Sequence, residues 1–166
     1  MSARIRRAEP RDAKALVALA RAIGAEPEGW LVTDGAWRSV AEERRFLRAA
    51  RRSPHVAVLV AESAAGIVGR LSAARDGHPA SFHVADVGLM VARSVRRQGV
   101  GRALLVAAEE WAHRQRISKL ELHVFPHNKP AIALYESMGY RQEGLRRRHY
   151  ERRGELVDAI MMAKEL

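Results

Sequence analysis

Cysteine is absent from this chain of 166 residues, so it has no disulfide framework, thiol nucleophile or cysteine-based metal site. The 7 histidines do not follow the spacing of metal ligands, and we expect no metal. Aromatic residues make up only 5% of the chain, and no apolar run is long enough to cross a membrane. The first residues also lack the apolar core of a signal peptide. These absences predict a soluble cytoplasmic protein with no membrane partner.

Lysine is scarce, although the chain is strongly basic. Lys and Arg together number 29 against 19 Asp and Glu, which gives a net charge of +10, and only Lys14, Lys119, Lys129 and Lys164 are lysines. An excess of arginine suits bidentate contacts with phosphates. The segment 141–153 is the most basic, and a solvated strand face is favoured there over a contact with phosphate or nucleic acid. Most of the charge is therefore expected on solvated surface.

The length of the chain and its apolar fraction of 48% predict one folded domain over residues 1–166. Periodicity and turn residues predict strands near 3–8, 55–62, 67–74, 82–91, 119–124, 140–150 and 156–163. They predict helices near 13–23, 39–51, 101–116 and 128–139, with Asp12, Ser39 and Asn128 as caps. Short turns between the early strands imply an antiparallel meander. The strand–helix–strand unit near 87–124 implies a right-handed parallel crossover, and hence a mixed sheet.

The stretch Val87–Leu105 reads as a strand, a basic loop, a glycine turn and a helix. Glycines at a helix N-terminus let a ligand approach the unpaired backbone N–H groups, which carry a partial positive charge. Arg96, Arg97 and Arg102 surround this turn, so the pattern predicts a site for a phosphate or pyrophosphate. No Lys-Ser or Lys-Thr pair follows the glycines, which excludes a P-loop. Leu104 replaces the third small residue of a dinucleotide fingerprint.

Two motifs carry a resemblance to a known family. The hexapeptide Arg96–Gly101, RRQGVG, resembles the acetyl-CoA loop [RQ]-x-x-G-x-[GA] of the GNAT superfamily of N-acetyltransferases. Asn128–Tyr140 resembles the second signature of the same family, N-x-x-A-[IR]-x-x-Y-x-x-x-G-[FY]. Two motifs in the right order are much harder to obtain by chance than either alone. Residues near the C-terminus also resemble one bacterial branch of this family, the acetyltransferases of the amino-acid and phosphinothricin type. These residues are Glu143, Gly144, Tyr150, Gly154, Glu155, Asp158 and Met162.

The resemblance implies an α/β fold with a mixed, mostly antiparallel sheet of about seven strands and about four helices. It implies acetyl-CoA as co-substrate and the primary amine of a small molecule as acceptor. A protein N-terminus or a lysine is the alternative acceptor, and a non-catalytic CoA-binding or nucleic-acid-binding module is a more remote alternative. No helix-turn-helix or RNP pattern is present, so we expect no nucleic-acid partner. Dimers are common in the family, and a homodimer is an expectation that the resemblance carries.

Acetyl transfer requires a neutral amine, a stabilised oxyanion and a proton for the leaving thiolate. The resemblance assigns the proton to the Tyr135 phenol, although a tyrosine here also suits core packing. It assigns pantetheine contacts to Asn128, and both oxyanion and pantetheine contacts to the strand backbone near Met90 and Val91. Gly88 suits a bulge or a close approach, which would let the strands separate around pantetheine. The residues expected to bind the cofactor are Met90, Val91, Arg96, Arg97, Gln98, Gly99, Val100, Gly101, Arg102, Ala103 and Asn128.

The general base is the least determined group. The candidates are His83, Asp86, Glu121, His123 and His127, each of which also suits an ordinary core or rim position. His123 lies where some relatives place a catalytic glutamate, and a histidine titrates near neutral pH. Glu121 shares a strand face with His123. A water relayed to one of these groups is a further alternative. Acceptor choice is expected to depend on the loop Ala25–Trp37, the turn Gly77–Ser81 and the terminal hairpin.

Overall fold

The computed structural model describes residues 3–31 and 37–166. Seven strands form one sheet in the order β1-β2-β3-β4-β5-β7-β6. All neighbours pair antiparallel except β4 and β5, which pair parallel, so the predicted mixed sheet is confirmed. The strands are β1 (Arg4–Arg7), β2 (Val56–Ser63), β3 (Gly66–Arg75), β4 (Val84–Val91), β5 (Lys119–Val124), β6 (Arg141–Arg152) and β7 (Glu155–Glu165).

Four α-helices accompany the sheet in the described part of the chain, as the resemblance implies. They are α1 (Ala13–Gly24), α2 (Val40–Arg52), α3 (Val100–Arg114) and α4 (Lys129–Ser137), with short 3₁₀ turns at Pro10–Asp12, Pro79–Ser81 and Arg93–Val95. The described helices are neither long nor apolar enough to span a membrane.

The helix caps follow the sequence at two of three positions. Ser39 Oγ accepts from Glu42 N at 3.2 Å and Glu42 Oε2 accepts from Ser39 N at 2.7 Å, which is the predicted capping box of α2. Asn128 Oδ1 accepts from Ala131 N at 3.3 Å at the start of α4. The predicted side-chain cap of α1 at Asp12 is wrong, because that carboxylate pairs with Arg6 at 2.8 Å.

The two faces of the sheet carry separate apolar cores. Leu104 and Leu105 of α3 pack on one face, together with Leu120 and Leu122 of β5. α1 and α2 pack on the other face, where Leu16 and Leu47 meet Val58 and Val60 of β2. Met90 of β4 packs beside Ile23 of α1 on that second face. Successive residues of β4 thus reach both cores, because side chains alternate along a strand.

β4 and β5 separate after a short paired stretch. Their register runs from Val84 and Lys119 only to Asp86 and Glu121 in the described chain. The predicted separation is therefore present. Of the two features expected at Gly88, a bulge or a close approach, the structure shows the close approach, because a Cβ there would lie 3.2 Å from Ser72 Oγ. β3 and β4 stay in register through Gly88, which lies opposite Ser72. The opening thus arises on the other edge of β4, where β5 diverges.

The terminal hairpin of β6 and β7 turns at Arg153 and Gly154, which have φ of 50° and 80°. Arg141, Arg147 and Arg148 are exposed, as expected for a solvated strand face. Arg152 differs from that expectation, because its side chain is buried and its guanidinium lies 5.6 Å from the centroid of the Phe125 ring. The hairpin therefore contributes to the packing beneath the loop that follows β5.

Candidate active site

A cavity of about 710 Å³ fills the opening between β4 and β5. One end is lined by Gly99 and Gly101 of the glycine turn and by Tyr135 of α4. The other end is lined by Ile23 and Trp30, which pack on the opposite face of the sheet. The cavity therefore passes through the sheet and joins its two faces.

The glycine turn begins α3 as predicted. Gly99 is its N-terminal flanking residue with φ of 85°, and Arg97 before it also has a positive φ of 65°. The first N–H groups of α3 lack helical partners and carry the positive end of the helix dipole. Gly101 serves packing as well, because a Cβ there would lie 2.9 Å from Leu134 Cδ2 of α4. The turn therefore combines a helix N-terminus with a close contact between α3 and α4.

The three arginines of the basic loop are placed differently from one another. Arg96 donates two hydrogen bonds of 2.7 Å to the Glu26 carboxylate, and its Nε donates to the Val91 carbonyl at 3.1 Å. Arg102 donates to Ser137 Oγ at 2.9 Å. All three of Arg96, Arg97 and Arg102 line the cavity. The Arg96 side chain is thus engaged by a carboxylate, which the sequence pattern did not indicate.

The remaining expected cofactor residues divide into two groups. Met90, Val91 and Asn128 line the cavity. Gln98 of the glycine turn, and Val100 and Ala103 at the start of α3, do not line the cavity. Gln98 Nε2 donates to the Ser94 carbonyl at 3.2 Å, and Val100 is buried in the core under α3. These last three residues are placed to act through the backbone of the turn and not through their side chains.

Tyr135 is buried on α4 and lines the cavity. Burial raises the pKa of its phenol above the ordinary value of 10.0, so the hydroxyl keeps its proton at neutral pH. Its ring lies 5.8 Å from that of Tyr140, centroid to centroid. The position therefore serves core packing and also presents a protonated donor to the cavity.

His123 lies near the end of β5 and lines the cavity. Its Nδ1 is 2.7 Å from the Tyr150 hydroxyl of β6. Loss of hydration lowers the pKa of His123, and electrostatic repulsion from Arg146 and His149 lowers it further. Burial raises the pKa of Tyr150 and the nearby Asp86 charge adds to this, so the phenol stays protonated. His123 is therefore a neutral imidazole with one nitrogen fixed by Tyr150.

Asp86 and Glu121 are neighbours in the last paired positions of β4 and β5, and neither lines the cavity. Loss of hydration raises the pKa of Asp86 to about 6, the Glu121 charge adds to the rise, and Arg146 opposes it. His83 precedes β4, where its carbonyl accepts from Ser118 N at 2.9 Å. His127 Nε2 lies 2.9 Å from the Glu28 carbonyl. Of the five candidate bases, all of which are described, only His123 lines the cavity.

The described part of the predicted loop Ala25–Trp37 borders the cavity, and its residues 32–36 lie outside the described residues. We call residues 25–31 the acceptor loop. It is attached to both rims of the opening: Glu26 and Glu28 pair with Arg96 and Arg93, at 2.7 and 3.3 Å. The Glu28 carbonyl contacts His127, beyond β5. The turn Gly77–Ser81 does not line the cavity.

Comparison with known proteins places this geometry among acetyltransferases. The model of the acetyltransferase (GNAT) family matches residues 17–140. The L-amino acid N-acetyltransferase AaaT of Escherichia coli is 33% identical over 168 residues, 96% of this chain and 96% of that protein. The N-alpha-acetyltransferase RimI of Mycobacterium tuberculosis is 33% identical over 136 residues, 81% of this chain and 78% of that protein. The names of these two relatives state different acceptors.

Solved structures share the fold. A GNAT-family acetyltransferase from Streptococcus pneumoniae has a TM-score of 0.90 and 29% identity, with 99% of this chain and 100% of that chain covered. YncA from Salmonella typhimurium, solved with its cofactor acetyl-CoA, has a TM-score of 0.87 and 18% identity, with 100% of this chain and 95% of that chain covered. The agreement extends over almost the whole length of each chain, including the strands that border the opening.

Proposed function

Because this chain belongs to the acetyltransferase (GNAT) family, we propose that it is an N-acetyltransferase that moves the acetyl group of acetyl-CoA directly to the primary amine of a small molecule. The observation that carries this proposal is the cavity that passes through the sheet. It has the glycine turn at one end, and both Tyr135 and His123 contribute to its wall. In this proposal residues 1–166 form one catalytic domain.

The cofactor end of the cavity suits acetyl-CoA. Backbone N–H groups at the start of α3 are directed to bind the pyrophosphate, with Arg97 beside them. The separated part of β4, at Met90 and Val91, offers backbone groups to the pantetheine arm and to the thioester oxygen. Asn128 caps α4 and also lines the cavity, so its amide can do both tasks.

The reaction forms one C–N bond and breaks one C–S bond. The neutral amine attacks the thioester carbonyl carbon, and His123 accepts the proton that the amine nitrogen loses. Tyr135 gives its phenolic proton to the leaving sulfur, and solvent later restores it. The base role requires the tautomer in which His123 Nδ1–H donates to the Tyr150 oxygen, because this leaves the Nε2 lone pair free. The lowered pKa of His123 supports this role, since the imidazole is neutral at neutral pH.

The attachment of the acceptor loop supports a small acceptor over a polypeptide. A peptide needs an open groove on the acceptor side, whereas the loop is attached to Arg96 on one rim and to His127 on the other. The relation to an N-alpha-acetyltransferase nevertheless makes a protein N-terminus the second candidate acceptor.

Thermal unfolding with and without acetyl-CoA, at low and high salt, tests the cofactor. A ligand present at a hundred times its dissociation constant adds about 2.7 kcal/mol to stability, and we expect a stabilisation that persists at high salt. Thiol release is then followed with a panel of free amines and with a peptide that has an N-terminal alanine. Turnover of free amines alone agrees with the proposal. Turnover of the peptide alone would transfer the assignment to the second candidate, and no stabilisation by acetyl-CoA would reject both.

A further inference from the structure

Strand β6 contains a bulge. Its paired residues Arg146 and Tyr150 lie opposite Ala159 and Val157 of β7, so three residues of β6 face the single residue Asp158. A regular antiparallel pair has one residue on each side at such a point, which means that β6 carries two extra residues here. A bulge of this kind bends its strand and increases the local twist.

The bulge breaks the alternation of side chains along β6. In a regular strand, successive side chains point to opposite faces of the sheet. Here the adjacent residues His149 and Tyr150 both contact the His123 ring, each at a centroid distance of 6.0 Å. Arg146 joins them, because its Nη1 lies 3.3 Å from His149 Nε2. The bulge therefore brings three side chains of β6 to the neighbourhood of His123.

The contact between Tyr150 and His123 depends on this bend. His123 pairs with Met161 of β7, whereas Tyr150 pairs with Val157, four residues away on that strand. Four residues span about 14 Å, and β5 and β6 lie two strand spacings of about 4.8 Å apart. A tyrosine and a histidine side chain cannot bridge that diagonal across a flat sheet. The distance of 2.7 Å between the Tyr150 hydroxyl and His123 Nδ1 therefore requires β6 to bend over β7 toward β5.

Asp158 stabilises the backbone of the bulge. Its Oδ1 accepts a hydrogen bond of 2.7 Å from the Arg148 backbone N–H, in the stretch where the ladder between β6 and β7 is interrupted. Arg148 has φ of 50°, which is uncommon for a residue other than glycine. Such a conformation persists only where the surrounding structure holds it, and the Asp158 carboxylate does so here.

We propose that Asp158 is a positioning residue for acetyl transfer: it holds the bulge of β6, which keeps the Tyr150 hydroxyl on His123 Nδ1 and so fixes the tautomer that acts as base. This inference rests on the proposed function, in which His123 is the general base. The titratable and charged groups around His123 and Tyr150 in the described part of the chain are Arg146 and His149 of β6, Glu121 of β5 and Asp86 of β4.

NMR of ¹⁵N-labelled protein between pH 4 and pH 9 reports the tautomer and the pKa of His123 directly. Asp158→Ala should mix the two neutral tautomers and raise the pKa of His123 toward 6.5, because the ring becomes more hydrated and Arg146 and His149 move away. kcat/KM at neutral pH should fall at least tenfold, and its low-pH limb should move upward with the pKa. Asp158→Asn keeps the acceptor oxygen and should retain the parent values.

Substitutions at Arg148 test the bulge with Asp158 in place, which also covers a failure of Asp158→Ala to fold. Arg148→Gly and Arg148→Val remove the same charge, but only glycine tolerates a positive φ without strain. Arg148→Gly should keep the parent tautomer, whereas Arg148→Val should reproduce the effects of Asp158→Ala. Leu156→Ala, at an exposed and regularly paired position of β7, is the control and should change neither the tautomer nor the rate. Stabilisation by acetyl-CoA shows that each variant is folded.

Two outcomes overturn the inference, and they differ in what they mean for the proposed function. An unchanged tautomer and pKa of His123 in folded Asp158→Ala or Arg148→Val rejects the positioning role and leaves the proposed function intact. A changed tautomer with an unaltered pH profile of kcat/KM would mean that His123 is not the base. That result rejects this part of the proposed function, and the positioning role with it.

Discussion

Two tyrosines of similar burial differ in their access to the cavity. Tyr135 lines the cavity, whereas Tyr140 packs beside it with a hydroxyl that has no hydrogen-bond partner among the described residues. Tyr135→Phe should lower kcat by about 10²-fold, because it removes the proton donor for the thiolate. Its affinity for acetyl-CoA, measured by calorimetry, should stay nearly unchanged.

Tyr140→Phe is the control for that experiment. It removes a buried hydroxyl without a partner, so activity should persist and stability should rise by about 1 kcal/mol. Full activity in Tyr135→Phe would refute the proton-donor role. Equal losses of activity in both variants would point to packing as the common cause.

The pairing of His123 with Tyr150 has a consequence for the pH dependence of the rate. kcat/KM should fall as the pH drops through the pKa of His123, which burial and nearby positive charge hold below the usual 6.5. His123→Gln should abolish this limb of the profile and lower the rate by about 10²-fold or more. Tyr150→Phe keeps the ring but removes the oxygen that fixes Nδ1, so the limb should shift.

His127→Gln provides the control histidine, because His127 contacts the Glu28 carbonyl. This variant should keep the limb of the wild-type enzyme at the same pH. A wild-type limb in His123→Gln would transfer the base role to Glu121, Asp86 or a water molecule.

At the scale of elements, the ion pair of Glu26 with Arg96 joins the acceptor loop to the segment before the glycine turn. Both hydrogen bonds measure 2.7 Å, and the Glu26 side chain is only 10% exposed, so the pair is worth more than a surface ion pair. Glu26→Gln should increase amide hydrogen exchange across residues 25–31. Stabilisation by acetyl-CoA should not decrease, because the change frees the Arg96 guanidinium for a phosphate.

Glu28→Gln is the matched comparison, since its partner Arg93 is 67% exposed and the pair measures 3.3 Å. We expect the loss of this surface pair to cause a smaller increase in amide hydrogen exchange. If amide hydrogen exchange in Glu26→Gln equalled that of the parent protein, the acceptor loop would be held by its apolar contacts alone. Weaker acetyl-CoA binding in Glu26→Gln would mean that the pair itself orients Arg96 toward the cofactor.

Local sequence patterns predicted the helices and strands well, but they did not predict the contacts between residues that are far apart in the sequence. Gly139, with φ of 91°, ends α4 as predicted, because a helix C-terminus favours a residue that tolerates this conformation. The contact between Arg96 and Glu26 joins positions 70 residues apart, so no local pattern contains it. Tyr150 reaches His123 across β7, after a register shift in β6 between Arg146 and Tyr150. That shift includes Arg148 with φ of 50°, an unusual residue for such a backbone.

For the whole molecule, Asp86 makes stability depend on pH. Its pKa of about 6 lies above the ordinary 3.8, so the folded state binds this proton more tightly than the unfolded state does. The resulting stabilisation is complete below about pH 3.8 and is lost as the pH rises through about 6. Asp86→Asn cannot lose a proton there. The free energy of unfolding of Asp86→Asn, relative to that of the parent protein, should therefore increase between pH 4 and pH 7.

Because Asp86 is exposed and water screens its charge, the gain in stability should be about 1 kcal/mol, or about 2–4 °C in Tm. Calorimetric unfolding at pH 4, 5.5, 7 and 8 measures this gain.

Asp76→Asn is the contrasting control, because backbone and side-chain hydrogen bonds from His78 and Ser81 lower the pKa of Asp76. The carboxylate of Asp76 stabilises the fold above its pKa, so its loss should make the protein less stable at pH 7. If the difference in Tm between Asp86→Asn and the parent protein stayed constant from pH 4 to pH 8, Asp86 would have the same pKa in the folded and unfolded states. Glu121 would then exert no net repulsion on it.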